Sequence, residues 1–178
     1  MMEWALSIVI WLTSTSDAAA LRRTAPSYLD VDTARVHLAA ARIAGEVHRL
    51  DPDLLLAIAW RESRYRADAI TREKSGKLSC GLMMVTMPKG EPCPAPSILG
   101  GYLAGAEHLR QWVRATKSLR DALLGYAGGY PMIKACADGG ELIRVRAGRE
   151  VDLCRTPELQ RAAWIRRSRT RATAAAGS

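Results

Sequence analysis

The sequence predicts a predominantly α-helical fold with one or two small β-hairpins. Apolar residues recur at helical spacing over most of the chain, capping residues precede those segments, and Ser-Gly and Ala-Gly pairs mark two turns. The 178 residues suit one domain with terminal extensions, and this length can bury a substantial core. Because 48% of the residues are hydrophobic, the composition is not that of a disordered chain.

Residues 1–20 have the pattern of a secretion signal. An apolar run from Trp4 to Leu12 precedes a polar stretch and three alanines, which predict cleavage after Ala20. The run is too short to span a bilayer comfortably. Since the preceding segment carries Glu3 and no basic residue, an uncleaved membrane anchor or a buried N-terminal helix stays open. We expect an exported protein, periplasmic or extracellular.

The chain is strongly basic, with a formal net charge of +8, and part of that charge lies at its end. A basic surface indicates polyanionic surroundings such as cell-wall polymers, anionic lipid or nucleic acid. Nucleic acid is disfavoured as a partner, because the basic residues lack interleaved aromatic residues and the export signal does not fit it. We expect residues 166–178 to form a disordered basic tail.

Four cysteines, Cys80, Cys93, Cys136 and Cys154, follow the predicted signal. An even number in an exported chain favours two disulfides. Three pairings are open, of which Cys80–Cys93 with Cys136–Cys154 is the most local. The cysteine and histidine spacings do not resemble a zinc site, so we expect no metal.

The predicted domain covers residues 32–165 and follows a linker at residues 21–31. Its first helix runs from about Thr33 to His48, and its second begins at Asp51, with Pro52 at the first helical position. The later elements are a hairpin turning at Ser75-Gly76, an irregular proline-rich loop over 88–96, a helix from Ile98, a shorter helix from Ser118 to a pair of glycines, a hairpin around Ala147-Gly148 and a final helix from about Pro157.

The second helix carries one carboxylate in its apolar stripe. Leu55, Ile58 and Ala59 precede Glu62 by seven, four and three residues, so all four share one helical face. Burial and the negative end of the helix dipole both raise a carboxyl pKa, and general-acid catalysis needs a carboxyl protonated near neutrality. The alternative is that Glu62 is the solvated edge of an amphipathic helix, with its pKa lowered by nearby arginines.

Four sequence blocks, in order, extend this interpretation. They are the helix DPDLLLAIAWRESRY ending in Glu62 and Ser63, the segment CGLMMV with Gly81 to Val85, the helix beginning at Ala104-Gly105-Ala106, and the turn containing Tyr126 and Gly129. Together they resemble the catalytic motifs of the lysozyme-like lytic transglycosylases, the soluble lytic transglycosylase family that cleaves peptidoglycan. The resemblance spans about residues 44–130.

The resemblance implies an α+β lysozyme-like fold, a helical bundle around a glycan cleft. In this family's mechanism, Glu62 would protonate the β-1,4 bond between N-acetylmuramic acid and N-acetylglucosamine. The resulting carboxylate would take the proton of the muramic acid's C6 hydroxyl, which closes onto C1 as a 1,6-anhydro ring. This route needs no second carboxylate, no water and no cofactor. We expect peptidoglycan glycan strands as the partner, envelope-assembly proteins as further candidates, and a monomer.

The resemblance also implies seven substrate-binding candidates: Ser63, Gly81, Leu82, Met83, Met84, Tyr126 and Gly129. Ser63 either hydrogen-bonds near Glu62 or the sugar, or lies in water. Tyr126 either contacts Glu62 or is a packing residue. Met83 and Met84 either line the cleft or fill the core. Glycine at position 81 allows the backbone to approach a glycan, whereas Gly129 most simply ends a helix.

Two departures from the family pattern affect substrate contacts. Met84 stands where the family has Gln, and Ala127 stands where it has Asn, so two amides worth about 1 kcal/mol each are absent. These departures leave open a non-catalytic peptidoglycan-binding or assembly module. A hydrolytic muramidase of the same fold is the other alternative, in which Glu73 or Asp68 supports a water or the glycosyl cation.

Overall fold

The computed structural model describes residues 14–25, 27–137, 140–146 and 149–176. Within these ranges the chain forms helices α1 (Thr15–Thr24), α2 (Val31–His48), α3 (Pro52–Ser63), α4 (Ile98–Thr116), α5 (Leu119–Ala135) and α6 (Pro157–Ala176). The strands are β1 (Ile70–Arg72), β2 (Leu78–Cys80), β3 (Val85–Thr86), β4 (Ile143–Arg146) and β5 (Arg149–Asp152), and a 3₁₀ turn spans Leu153–Arg155. The prediction of a predominantly α-helical fold with small hairpins is confirmed.

The helices begin where short polar side chains can accept backbone hydrogen bonds. Asp30, Asp51, Ser97 and Ser118 cap α2, α3, α4 and α5 by accepting from N–H groups in the first turn. The cap of α2 is thus Asp30, and the helix starts two residues before the predicted Thr33. These caps fix the ends of the helices that carry the candidate site.

Helix α3 lies at the centre of the core. Each residue from Leu54 to Ala59 is at most 2% exposed, because α2, α4 and α6 all pack against this helix. A helix buried all round needs apolar residues on every face, which explains the run LLLAIA. Glu62 and Ser63 lie in its last turn.

The first hairpin is confirmed, and a third strand joins it. Strands β1 and β2 pair antiparallel with Ile70 opposite Cys80, and β2 pairs with β3 with Cys80 opposite Val85. Strands β4 and β5 form the second predicted hairpin, whose turn at Ala147-Gly148 lies outside the described residues. The Gly-Leu-Met segment connects β2 to β3.

The disulfide pairing is the most local of the three that the sequence left open. Cys80 bonds Cys93 with an S–S distance of 1.94 Å, and Cys136 bonds Cys154 at 2.03 Å. The first bond ties β2 to the proline-rich loop, and the second ties the end of α5 to the 3₁₀ turn. Both disulfides are compatible with an exported protein. No helix within the described residues is long and apolar enough to cross a membrane.

The segment before α2 differs from the expected linker. Helix α1 continues to Thr24, and Ala18, Ala20 and Leu21 in it have no exposed surface because α1 packs against α2 and α6. Asp17 also pairs with Arg42 at 2.8 Å. The predicted cleavage point after Ala20 therefore falls inside a packed helix, while residues 1–13 of the predicted signal lie outside the described residues.

The basic C-terminal segment also differs from the expectation of disorder. Helix α6 extends to Ala176, and its arginines meet the carboxylates at the starts of α1 and α3. Arg166 pairs with Asp51 and Asp53, and Arg169 pairs with Asp53 and Asp17. These charges are paired across the fold, which holds this part of the segment in place.

Replacing Leu21 with alanine is expected to lower the free energy of unfolding by about 3 kcal/mol, because its side chain is fully buried between α1 and its neighbours. Chemical denaturation of the full chain measures this change. Leu119→Ala is the control: this leucine is 40% exposed, and its loss should change stability by less than about 1 kcal/mol. Equal effects of the two substitutions on the free energy of unfolding would show that α1 is not part of the folded unit.

His37 makes the stability of the fold sensitive to acid. It is 1% exposed, its Nδ1 lies 3.2 Å from the Tyr102 hydroxyl, and burial lowers its pKa from 6.5 to about 4. The unfolded chain takes up this proton near pH 6.5, whereas the folded chain does so only near pH 4. The neutral imidazole therefore contributes stability that is fully present above pH 6.5 and is lost as the pH falls toward 4.

The expected loss from this group is about 3 kcal/mol. Denaturation at a series of pH values from 7 to 4 measures it. His37→Gln keeps a hydrogen-bonding side chain beside Tyr102 but does not titrate, so its stability should depend less steeply on pH. The same pH dependence in the wild type and the variant would contradict this assignment.

Candidate active site

Glu62 occupies the last turn of α3, where the helix leaves the core. Its side chain is 24% exposed, so the carboxylate is neither in bulk solvent nor sealed from it. Arg61 Nε lies 4.0 Å from Glu62 Oε1, and the same guanidinium pairs closely with Glu158 of α6, which is 4% exposed. The positive charge beside Glu62 is therefore shared with a second, more buried carboxylate.

The two other nearby arginines have partners of their own. Arg64 lies over the ring of Trp60 at 4.4 Å and donates to the Trp60 carbonyl at 2.6 Å. Arg66 pairs with Asp68 at 3.3 Å in an exposed position. Arg61 is therefore the arginine whose ion pair with Glu62 the structure shows.

Ser63 joins the end of α3 to the Gly-Leu-Met turn. Its hydroxyl is buried and donates to the Leu82 carbonyl at 2.6 Å, with the Ala59 carbonyl at 3.1 Å. The same oxygen accepts from the Arg66 N–H at 3.1 Å. Ser63 is therefore not in water, and its hydrogen bonds lie within the protein. This position makes it a residue that holds the turn against the acid-bearing helix.

Tyr126 makes the second connection to the same turn. Its hydroxyl donates to the Met83 carbonyl at 2.6 Å. Burial and, secondly, the charge of Glu62 raise the pKa of Tyr126 well above its ordinary value, so the hydroxyl remains a proton donor.

Leu82 and Met83 themselves are packing residues. Both are completely buried, and their side chains fit against α4 at two positions where that helix has glycine. A Cβ atom at Gly101 would lie 2.7 Å from the Cβ of Leu82, and one at Gly105 would overlap the Met83 side chain. The expectation that Leu82 and Met83 contact substrate is therefore not met by their side chains, because the glycines of α4 draw them into the core.

Gly81 and Met84 flank this buried pair and remain partly exposed. Both have left-handed backbones, with φ of +74° at Gly81 and +51° at Met84. Glycine adopts this conformation freely, whereas a methionine in it stores strain on the order of 1 kcal/mol. Gly81 also lines a pocket of 220 Å³ together with Asp68 and the proline-rich segment 93–96. These two residues are the parts of the turn that a ligand can reach.

Gly129 interrupts α5 beside Tyr126. Its φ of +69° with ψ of −167° is a conformation essentially restricted to glycine, so the chain turns at Gly128 and Gly129 before it resumes helical geometry. The predicted helix end at the glycines is thus a kink. Tyr130, the residue after Gly129, is 65% exposed.

The two alternative carboxylates are bound to partners of their own. Glu73 accepts from the Ser79 hydroxyl at 2.6 Å, and Ser79 in turn lies 3.1 Å from the Thr86 hydroxyl on the sheet. Asp68 is exposed and pairs with Arg66. The described part of the chain contains no cluster of three or more His, Cys, Asp or Glu side chains that could hold a metal ion.

His108 is a neighbour of the site that the sequence did not single out. Its ring centroid lies 5.1 Å from that of Tyr126, and its Nε2 accepts a hydrogen bond from Trp112 Nε1 at 3.3 Å. Burial lowers the pKa of His108, which favours the neutral imidazole that this bond requires. The sequence could have indicated this pair, because His108 and Trp112 are four residues apart on one helical face, but this spacing belongs to no catalytic motif.

Comparison with known proteins adds a short local similarity. No family model and no solved structure matches the chain. Three curated Escherichia coli proteins, each named "X polypeptide" and one of them from strain K12, are 49% identical to it over 43 residues. That stretch is 24% of this chain and 25% of each relative, so the match spans about a quarter of their length.

Tyr126→Phe should loosen the Gly-Leu-Met turn. The substitution keeps the ring but removes the donor to the Met83 carbonyl, which we expect to lower the free energy of unfolding by about 1 kcal/mol. Amide hydrogen exchange in residues 81–84 should also become faster. Tyr28→Phe, at a tyrosine that is 52% exposed, is the matched control. Unchanged exchange in residues 81–84 would show that this hydrogen bond does not hold the turn.

Proposed function

We propose that the protein is a lytic transglycosylase that cleaves the N-acetylmuramic acid–N-acetylglucosamine bond of peptidoglycan and leaves a 1,6-anhydro end. One observation carries the proposal: the blocks that resemble the family's catalytic motifs meet around one carboxylate. Ser63, next to Glu62, bonds the Leu82 carbonyl, while Tyr126, whose pKa the Glu62 charge raises, bonds the Met83 carbonyl. These residues are far apart in sequence, so their meeting supports a shared role.

Glu62 is the general acid and then the general base of the proposed reaction. Its proton passes to the glycosidic oxygen as the bond from that oxygen to C1 of the muramic acid breaks. The carboxylate then accepts the C6 hydroxyl proton while O6 bonds to C1. The acid is regenerated, and no water is consumed. An internal hydroxyl competes well with water because it is already positioned beside C1.

The other residues of the site take positioning roles in this proposal. Ser63 and Tyr126 hold two consecutive carbonyls of the turn and thereby fix the wall beside Glu62. Gly81 and Met84 present the reachable surface of that wall, and Gly129 lets the chain bend next to Tyr126. All of them belong to one chain, so a monomer without a cofactor suffices. An exported location follows from the substrate, which lies outside the cytoplasmic membrane.

Glu62→Gln tests the proposal. Full-length protein should release anhydro-muropeptides from purified peptidoglycan, and the variant should lose about 10²- to 10⁴-fold in rate because the proton donor is gone. Mass spectrometry of the products measures this, since anhydro ends lack the mass of one water. Equal digestion by both proteins would remove Glu62 from its proposed role.

Glu73→Gln is the matched control, because it removes a carboxylate that bonds Ser79 on the sheet. Retained activity with anhydro products supports the lyase. Hydrated products whose formation depends on both Glu62 and Glu73 would support the muramidase instead.

A non-catalytic binding module is favoured by Met84 and Ala127, which lack the family's amides. It would appear as cell-wall binding by wild type and Glu62→Gln alike, without turnover by either.

A further inference from the structure

We propose that a pocket between α4 and α5 is a sugar-binding subsite that extends the glycan cleft away from Glu62. The pocket has a volume of 270 Å³ and is lined by His108, Gln111, Trp112, Ala115 and Tyr130. Its ligand is an N-acetylated hexosamine unit of the same strand that Glu62 cleaves, at least two rings from the reacting bond. The inference rests on the proposed function, and none of the motif residues lines this pocket.

Two aromatic rings form the apolar part of the pocket. The Trp112 and Tyr130 centroids are 5.2 Å apart with planes inclined at 64°, so the tryptophan and the tyrosine form a corner. Tyr130 is 65% exposed and Trp112 is half-buried. Sugars have an apolar C–H face and a hydroxylated rim, which match an aromatic face that carries a polar edge.

Polar groups beside the rings fix this corner and can recognise an acetamido group. His108 accepts from the Trp112 indole N–H, which sets the orientation of the tryptophan. Gln111 donates from Nε2 to Glu107 Oε1 at 3.2 Å, and its amide has an oxygen and a second N–H beyond that bond. A pocket of aromatic, amide and neutral imidazole groups suits an uncharged sugar better than a carboxylate or a phosphate.

The pocket is connected to the Glu62 site through packed side chains. His108 lies against Tyr126, and Tyr126 bonds the Met83 carbonyl of the turn beside Glu62. Along α4, Trp112 is seven residues beyond Gly105, which contacts Met83, and this separation is about 10 Å of helix. A short oligosaccharide spans such a distance and a monosaccharide does not, so the occupant is part of a chain.

Length-dependent binding of β-1,4-linked N-acetylglucosamine oligomers tests the subsite. Calorimetric titration of the full chain should show that Tyr130→Ala weakens binding of a hexasaccharide about three- to tenfold and leaves that of a disaccharide unchanged. Because Tyr130 is exposed, its loss should not impair folding, and Gln111→Ala is a second variant in the same pocket. Tyr28→Ala is the matched control, an exposed tyrosine whose ring lies 5.1 Å from that of Trp60.

The outcomes separate this inference from the proposed function. Hexasaccharide binding that is insensitive to both pocket variants, or that falls equally in Tyr28→Ala, overturns the subsite, as does a wild type that binds no oligomer. Binding that depends on Tyr130, in a protein that releases no anhydro product, supports the subsite and overturns the lyase. Anhydro products together with oligomer binding independent of Tyr130 support the lyase and overturn the subsite.

Discussion

Two hydrogen bonds to consecutive carbonyls, those of Leu82 and Met83, hold the centre of this structure together. The side chains of these residues are buried against α4, which takes their peptide groups out of water. A buried carbonyl without a donor is unfavourable by about 1–3 kcal/mol, and the tight turn offers no ladder partner. Ser63 and Tyr126 supply the donors. The end of α3, the turn and α5 are thereby fixed to one another, and so is the position of Glu62.

Charge pairing with α6 acts on the same end of α3. The buried Glu158 is matched by Arg61, which also approaches Glu62, so one guanidinium serves two carboxylates. Removing Glu158 would leave the full positive charge beside Glu62, whereas removing Arg61 would leave Glu158 buried without its partner. The first turn of α6, which the sequence predicted as the start of a final helix, therefore influences the electrostatics of the candidate acid through Glu158.

Local signals in the sequence predicted α3 and both hairpins, because caps and turn residues determine them. The even number of cysteines predicted two disulfides but left their pairing open. The missed features depend on partners far along the chain. Helix α1 and the end of α6 become ordered through contacts such as Arg166 with Asp51, which no local pattern encodes. The sequence predicted a cleft position for Leu82 and left open whether Met83 fills the core. It could not show the burial of both side chains, because the space that receives them is created by glycines of α4. A motif can locate a turn without showing which way its side chains face.

The absent amides at positions 84 and 127 have a consequence once the aromatic pocket is considered. Each amide would contribute about 1 kcal/mol near the reacting bond, and an aromatic contact contributes about 0.5–1.5 kcal/mol. A subsite at Trp112 and Tyr130 would move that binding energy at least two sugars away from Glu62. Energy from a remote contact assists the reaction only when the substrate reaches both places. Such a protein would discriminate by strand length. A short fragment would occupy the Glu62 site without the binding energy of the aromatic subsite, and the absent amides would not replace that energy.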